Sequence, residues 1–158
     1  MNEFIPKRIS RIHTIELKAD PEVVFPLFSP VEERKWVEGW DPFLIFPASG
    51  EVQDGSIFLT HYVKTEIPAV WVTVDYEPRD FRVRYLRMLV NDHVADIRIQ
   101  CQKSGSGTTL ADIRYIFTGL SESGNNAISV FTEEHYANWI NGWKESIERY
   151  LASNMQLR

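Results

Sequence analysis

From Phe43 to Thr118 the chain reads as strand after strand, and a single long amphipathic stretch follows. Phe43 to Phe46, Ser56 to Lys64, Ala69 to Tyr76, Phe81 to Leu89, His93 to Gln102 and Thr108 to Thr118 are rich in β-branched and aromatic residues, several with clear alternation. Between them stand turn signals: Asp54-Gly55, Glu77-Pro78-Arg79-Asp80, Asn91-Asp92 and Lys103-Ser104-Gly105-Ser106-Gly107. Beyond them Ile128, Phe131, Tyr136, Trp139, Trp143, Ile147 and Tyr150 recur at helical spacing, with Ile140 and Leu151 at the edge of the stripe. Runs of strands with the helices kept apart predict an α+β fold: an antiparallel sheet of about six or seven strands with helices on one face.

The N-terminal third supplies the rest. Arg8 to Leu17 alternates as a strand, with Ile9, His13, Ile15 and Leu17 on one face. Asp20-Pro21-Glu22 opens a helix, since aspartate can cap, proline suits the first helical position and glutamate complements the dipole. Val23, Val24, Leu27 and Phe28 form its buried side. Ser29-Pro30 starts a second short helix with Glu32-Glu33 in its first turn, Trp36 and Val37 as apolar contacts, and Gly39 at its end. The C-terminal helix begins at Ser121 or restarts at Thr132, and runs to about Ala152. Even its shorter version spans about 30 Å. A chain of 158 residues fits one domain, 1–158, with a substantial core.

The charge balance narrows the partners. A net charge of -5 with scattered basic residues argues against nucleic acid, which needs a concentrated basic face. The densest basic stretch, Arg79, Arg82, Arg84 and Arg87, reads mainly as the solvated side of a strand. The lone cysteine, Cys101, excludes an internal disulfide. Neither a signal-peptide pattern nor an apolar run long enough for stable membrane insertion is present, so a cytoplasmic location is the expectation.

Local segments carry a resemblance. Ile15-Glu16-Leu17-Lys18-Ala19-Asp20-Pro21-Glu22-Val23-Val24-Phe25, then Ser29-Pro30-Val31-Glu32 with Trp36-Val37-Glu38-Gly39-Trp40, then Leu120 to Asn125 leading to Phe131-Thr132-Glu133-Glu134, resemble the START-like helix-grip superfamily, also called SRPBCC. It includes polyketide cyclases and aromatases, pollen-allergen-type carriers and lipid-transfer domains. The resemblance spans roughly Ile9 to Leu151. It implies a helix-grip: a curved antiparallel sheet wrapped around the long C-terminal helix, an apolar cavity between them, and a mouth formed by the two short helices after the first strand and by strand hairpins.

Strand parity then names the wall. Ala95, Ile97, Ile99 and Cys101 share one face with His93, and Ala111, Ile113, Tyr115 and Phe117 share one on the last strand. The alternate residues, Asp96, Arg98, Asp112 and Arg114, can pair across the outer surface. Trp139 and Trp143 lie one turn apart on the helix, where they either stack on a ligand or fill the cavity. Trp71 has the opposite parity to Val70, Val72 and Val74, so it lines the cavity or sits partly exposed. His135 lies on the flank of the helical stripe. Cys101 reads as packing, because a reactive thiol needs a base or an electropositive setting. The glutamates of the first helical turns, Glu32, Glu33, Glu133 and Glu134, are accounted for by the helix dipole. His13, His61, His93 and His135 form no metal signature, and no metal or other cofactor is called for.

The expected ligand wall is therefore Tyr115, Phe117, Ile97, Ile99, Ile113, His93, Trp71, Trp139, Trp143 and His135, with no catalytic residue assigned. The leading expectation is a binding protein for a small hydrophobic or amphipathic molecule. A second is an enzyme of the cyclase, aromatase or dehydratase type using Tyr115, His93 or His135. A third is a protein-interaction module like the co-chaperone members of the superfamily. Oligomeric state is open.

Overall fold

The computed structural model describes residues 3–61 and 67–156. Strands β1 (Arg8–Leu17), β2 (Phe43–Phe46), β3 (Ile57–Thr60), β4 (Ala69–Glu77), β5 (Arg82–Leu89), β6 (His93–Gly105) and β7 (Thr108–Gly119) form one 7-stranded antiparallel sheet in the order β1-β7-β6-β5-β4-β3-β2. From β2 to β7 each strand pairs with its sequence neighbours. β1 crosses to the far edge, pairing from Arg8 opposite Thr118 to Leu17 opposite Thr109. A long C-terminal helix completes the expected helix-grip arrangement.

The inward parities follow the sequence reading. Ala95, Ile97, Ile99 and Cys101 on β6 and Ala111, Ile113, Tyr115 and Phe117 on β7 are all buried. Asp96, on the opposite face of β6, accepts both Arg84 hydrogen bonds at 2.9 Å and further ones from Arg98. Trp71 faces inward on β4 with Ala69 and Thr73, which resolves its two options. At the other edge, β2 leaves Phe43, Ile45 and Phe46 exposed.

Helix α1 (Pro21–Val24) is a single turn that tightens into a 3-10 turn, Phe25–Phe28, where Pro26 lacks the N–H an α-helix would use. The expected Asp20 side-chain cap is not made. Its backbone carbonyl accepts from Val23 and Val24 instead, and its carboxylate stands 3.6 Å from Lys103 Nζ. The second short helix is a 3-10 turn, Glu32–Lys35, with the Ser29 hydroxyl accepting from the Glu32 N–H at 3.3 Å.

Both proposed starts of the C-terminal helix are used. Ser121 Oγ accepts from Gly124 N at 3.0 Å and caps α2 (Glu122–Ile128). Thr132 Oγ1 accepts from His135 N at 3.1 Å and caps α3 (Glu133–Gln156), about 36 Å long. The buried line of α3 is Tyr136, Ile140, Ile147 and Leu151, while Trp139, Trp143 and Tyr150 stand on its flank, half-buried. The stripe centre is thus rotated toward residues expected at its edge, and the tryptophans border a space between the helix and the sheet.

Strand ends differ as well. β3 covers Ile57–Thr60 of the expected Ser56–Lys64, whose positions 62–64 lie outside the described residues. Asp54-Gly55 does form a turn, with Gly55 at φ 84°, but its N–H bonds to Thr73 O rather than closing a tight β2–β3 hairpin. β6 continues through Gly105, leaving Ser106-Gly107 as the turn.

Candidate functional site

Between the sheet, the 3-10 turn 32–35 with the residues after it, and α3 lies a cavity of about 160 Å³. The sheet contributes Trp71, Tyr85, Arg87, Ile97, Ile99 and Tyr115, the 33–40 segment Glu33, Trp36, Val37 and Trp40, and α3 Trp139 and Trp143. The register explains its floor: Tyr85, Ile97 and Tyr115 lie abreast on β5, β6 and β7, all on the inner face.

Most of the wall is aromatic. Trp36 donates its indole N–H to Leu27 O at 2.7 Å, Trp40 to Pro30 O at 2.7 Å and Trp71 to Thr60 Oγ1 at 2.9 Å. With these donors committed to the protein, the three rings offer the cavity mainly apolar π surface. Tyr115 and Trp139 meet edge-on at 4.9 Å, Trp139 and Trp143 at 5.3 Å, and Trp36 and Trp143 tilt at 5.7 Å. This lattice of rings props the cavity from the helix side.

Polar groups punctuate that apolar surface. The Tyr85 hydroxyl donates to Phe28 O at 2.9 Å, tying the Phe25–Phe28 turn to the sheet. Among the described residues no acceptor takes the Tyr115 hydroxyl, although the ring itself is buried. Burial holds both phenols above their usual range, with the Arg87 charge opposing it at Tyr115. Glu33 is half-buried as a residue but its carboxyl is enclosed by protein, and desolvation pushes that carboxyl well above the usual carboxylate range. Arg87 lies over the Trp71 and Tyr115 rings at 5.6 and 5.9 Å and reaches His93 Nε2 at 3.2 Å. A second pocket of about 380 Å³, lined by Gly39, Asp41, Thr60 and His61, shares Trp40, Trp71 and Arg87 with the inner cavity. Those shared residues form the neck between them.

Of the residues expected in the wall, Tyr115, Ile97, Ile99, Trp71, Trp139 and Trp143 line the cavity. Phe117, Ile113, His93 and His135 stand outside the lining. Phe117 is covered by Phe131, stacked at 4.6 Å. Ile113 is fully buried, and the Tyr136 hydroxyl donates to its carbonyl at 2.5 Å. His93 is screened by Arg87 and hydrogen-bonds Asp92 behind it. His135 is exposed, its ring edge against Phe131 at 5.6 Å.

Glu33, Tyr85 and Arg87 were absent from the expected wall. Arg87 is a correction, because it shares the inward parity of Val83, Tyr85 and Leu89 and not the outward one of Arg82 and Arg84. The alternation held that signal. Glu33 stands three and four residues before Trp36 and Val37, spacing that puts all of them toward the same cavity. Among the described residues no group of three or more His, Cys, Asp and Glu could hold a metal ion, and no helix is long and apolar enough to cross a membrane.

No family model matches the chain, and no curated protein matches it by sequence. Solved structures do share its architecture. An uncharacterized protein from Rhizobium leguminosarum superposes with a TM-score of 0.62 at 17% identity, over 92% of this chain and 99% of its own. A protein from Rhizobium loti gives 0.65 at 13% identity, over 90% and 99%. Norcoclaurine synthase from Thalictrum flavum, solved in complex with dopamine and hydroxybenzaldehyde, gives 0.62 at 13% identity, over 90% and 87%. At these identities the likeness establishes the fold alone, a helix-grip.

Proposed function

We propose that the protein binds a small amphipathic molecule, about one aromatic ring with a short polar arm, in the cavity between sheet and α3. The observation that carries this is the void itself: aromatic on most sides, with Glu33, Tyr115 and Arg87 as its polar points. Packed interiors leave few voids larger than a water, so a wall of large rings around about 160 Å³ is a departure that needs a reason. An apolar cavity of about 150 Å³ can hold benzene, which sets the scale of the ligand. Norcoclaurine synthase, a neighbour in fold, was solved with dopamine and hydroxybenzaldehyde, both one-ring molecules.

Titration calorimetry with phenol, indole and phenylacetamide tests the reading, alongside native mass spectrometry of the freshly purified protein. Saturable one-to-one binding of at least one of these compounds is expected. Heats indistinguishable from dilution for all of them, with a clean apo mass, would overturn it.

An enzyme of the cyclase or dehydratase type is the second reading, and it rests on Glu33. An enclosed carboxyl that favours its protonated form beside Tyr85 and Tyr115 is suited to donate a proton to a bound molecule. Its check is turnover: any conversion of a bound cyclisable substrate should fall by orders of magnitude in Glu33→Gln, and equal rates would remove the role.

A further inference from the structure

The arginines of β5 are paired unequally. On the outer face Arg82 meets Asp75 at 3.1 Å, and Arg84 engages Asp96 through two bonds of 2.9 Å. Arg87, turned inward, has no carboxylate within salt-bridge distance among the described residues, and its polar partner is His93. An arginine can only donate, so His93 Nε2 accepts from it and the other ring nitrogen, Nδ1, donates to the Asp92 carboxylate. That arrangement keeps His93 neutral: burial lowers its pKa, the Asp92 hydrogen bond opposes that, and the Arg87 charge adds to the lowering. The imidazole thus positions the guanidinium without neutralising it.

The other carboxyls near Arg87 do not pair with it either. Glu33, across the inner cavity, makes no ion pair among the described residues and favours its uncharged form. Asp41, on the outer pocket, also forms none with Arg87, and Asp92 lies behind the imidazole. Trp71 and Tyr115 hold the guanidinium by its π contacts. One of its five N–H donors is used by His93, and a planar fork of donors remains at the neck between cavity and pocket.

We propose that Arg87 is the anion subsite of this cavity, and that the ligand is a one-ring aryl carboxylate: its ring sits among Trp36, Trp139 and Trp143, and its carboxylate is held by the Arg87 fork. This rests on the ligand-binding reading above and names the class of ligand. A guanidinium and a carboxylate match in shape, and their charge-assisted bonds are about twice as strong as neutral ones. A ring long enough to reach the α3 tryptophans from the neck, with its charge on a short arm, satisfies both ends.

Calorimetric titration of the wild-type protein with phenylacetate, phenylacetamide and phenethylamine at neutral pH separates the possibilities. Phenylacetate should bind about ten- to a hundredfold more tightly than the amide, with the amine weakest. Raising the salt concentration should narrow that preference, and Arg87→Gln should bring it toward unity. Arg87→Lys, which keeps the charge but not the fork, should retain part of it. Equal affinities for acid and amide, or a preference for the amine, would overturn the anion subsite while leaving the cavity reading standing. Failure of all three compounds to bind would overturn both. The wild-type ratio needs no variant to fold.

Discussion

Ile97→Phe should do two opposite things at once, raise stability and lower ligand affinity. Ile97 lies abreast of Tyr85 and Tyr115 at the floor of the cavity and is 1% exposed. An interior void costs about 24 cal/mol per Å³. Applied to about 160 Å³, that is about 4 kcal/mol of forgone stabilisation. The cavity communicates with the neck, so this is an upper bound, and one larger side chain fills only part of it. Cavity filling of this kind commonly returns about 1 kcal/mol, equivalent to about 3 °C in Tm for a chain of this size. Chemical denaturation followed by circular dichroism reads the first effect. Titration with phenylacetamide reads the second, expected as at least about a tenfold loss, since the ring would compete for the same space. If the variant is destabilised by more than about 1 kcal/mol and binding is unaltered, the interior is close-packed there and the reasoning from the void is wrong.

Further predictions concern groups around the same site. Glu33→Gln should be more stable than wild type at pH 8 and equal to it near pH 4. The raised carboxyl pKa means that the folded state holds the proton, so stability falls as pH rises from the unfolded value through the folded one; parallel pH profiles for the two proteins would refute this. Tyr85→Phe should cost about 1–2 kcal/mol, because the buried Phe28 carbonyl loses its donor at 2.9 Å. Urea midpoints with an unchanged slope will show it, and a neutral result would mean that the Phe25–Phe28 turn is held by packing alone. Cys101 should resist an aromatic disulfide reagent at pH 8 until the protein unfolds, since burial pushes its thiol up to about 12. Stoichiometric labelling within seconds under native conditions would contradict that.

Much of this molecule was legible because the informative pattern is local. The period-2 alternation of β6 and β7 set which residues face inward, and Ile97, Ile99 and Tyr115 on that face line the cavity. Ser121 and Thr132 marked helix starts because a cap is a contact between residues three apart. The order of strands, then one long helix, pointed to an α+β sheet covered by helices on one face, since an apolar face must be covered by something, and the resemblance implied the helix-grip layout.

The site was only half legible, for reasons equally physical. Phe117 and Ile97 have the same kind of parity, but Phe131 and not a void covers Phe117, a fact about the break between α2 and α3. His135 and Trp139 are one helical turn apart, and the rotation of α3 on the sheet decided that one meets solvent and the other the cavity. Arg87 carried the inward parity in plain view, yet a charge on an apolar face looks like a surface residue until its surroundings are known. Composition and periodicity determined which faces are apolar. Only the docking of α3 and of the 33–40 segment decided where those faces fail to meet, leaving an arginine at the neck of a space lined by tryptophan.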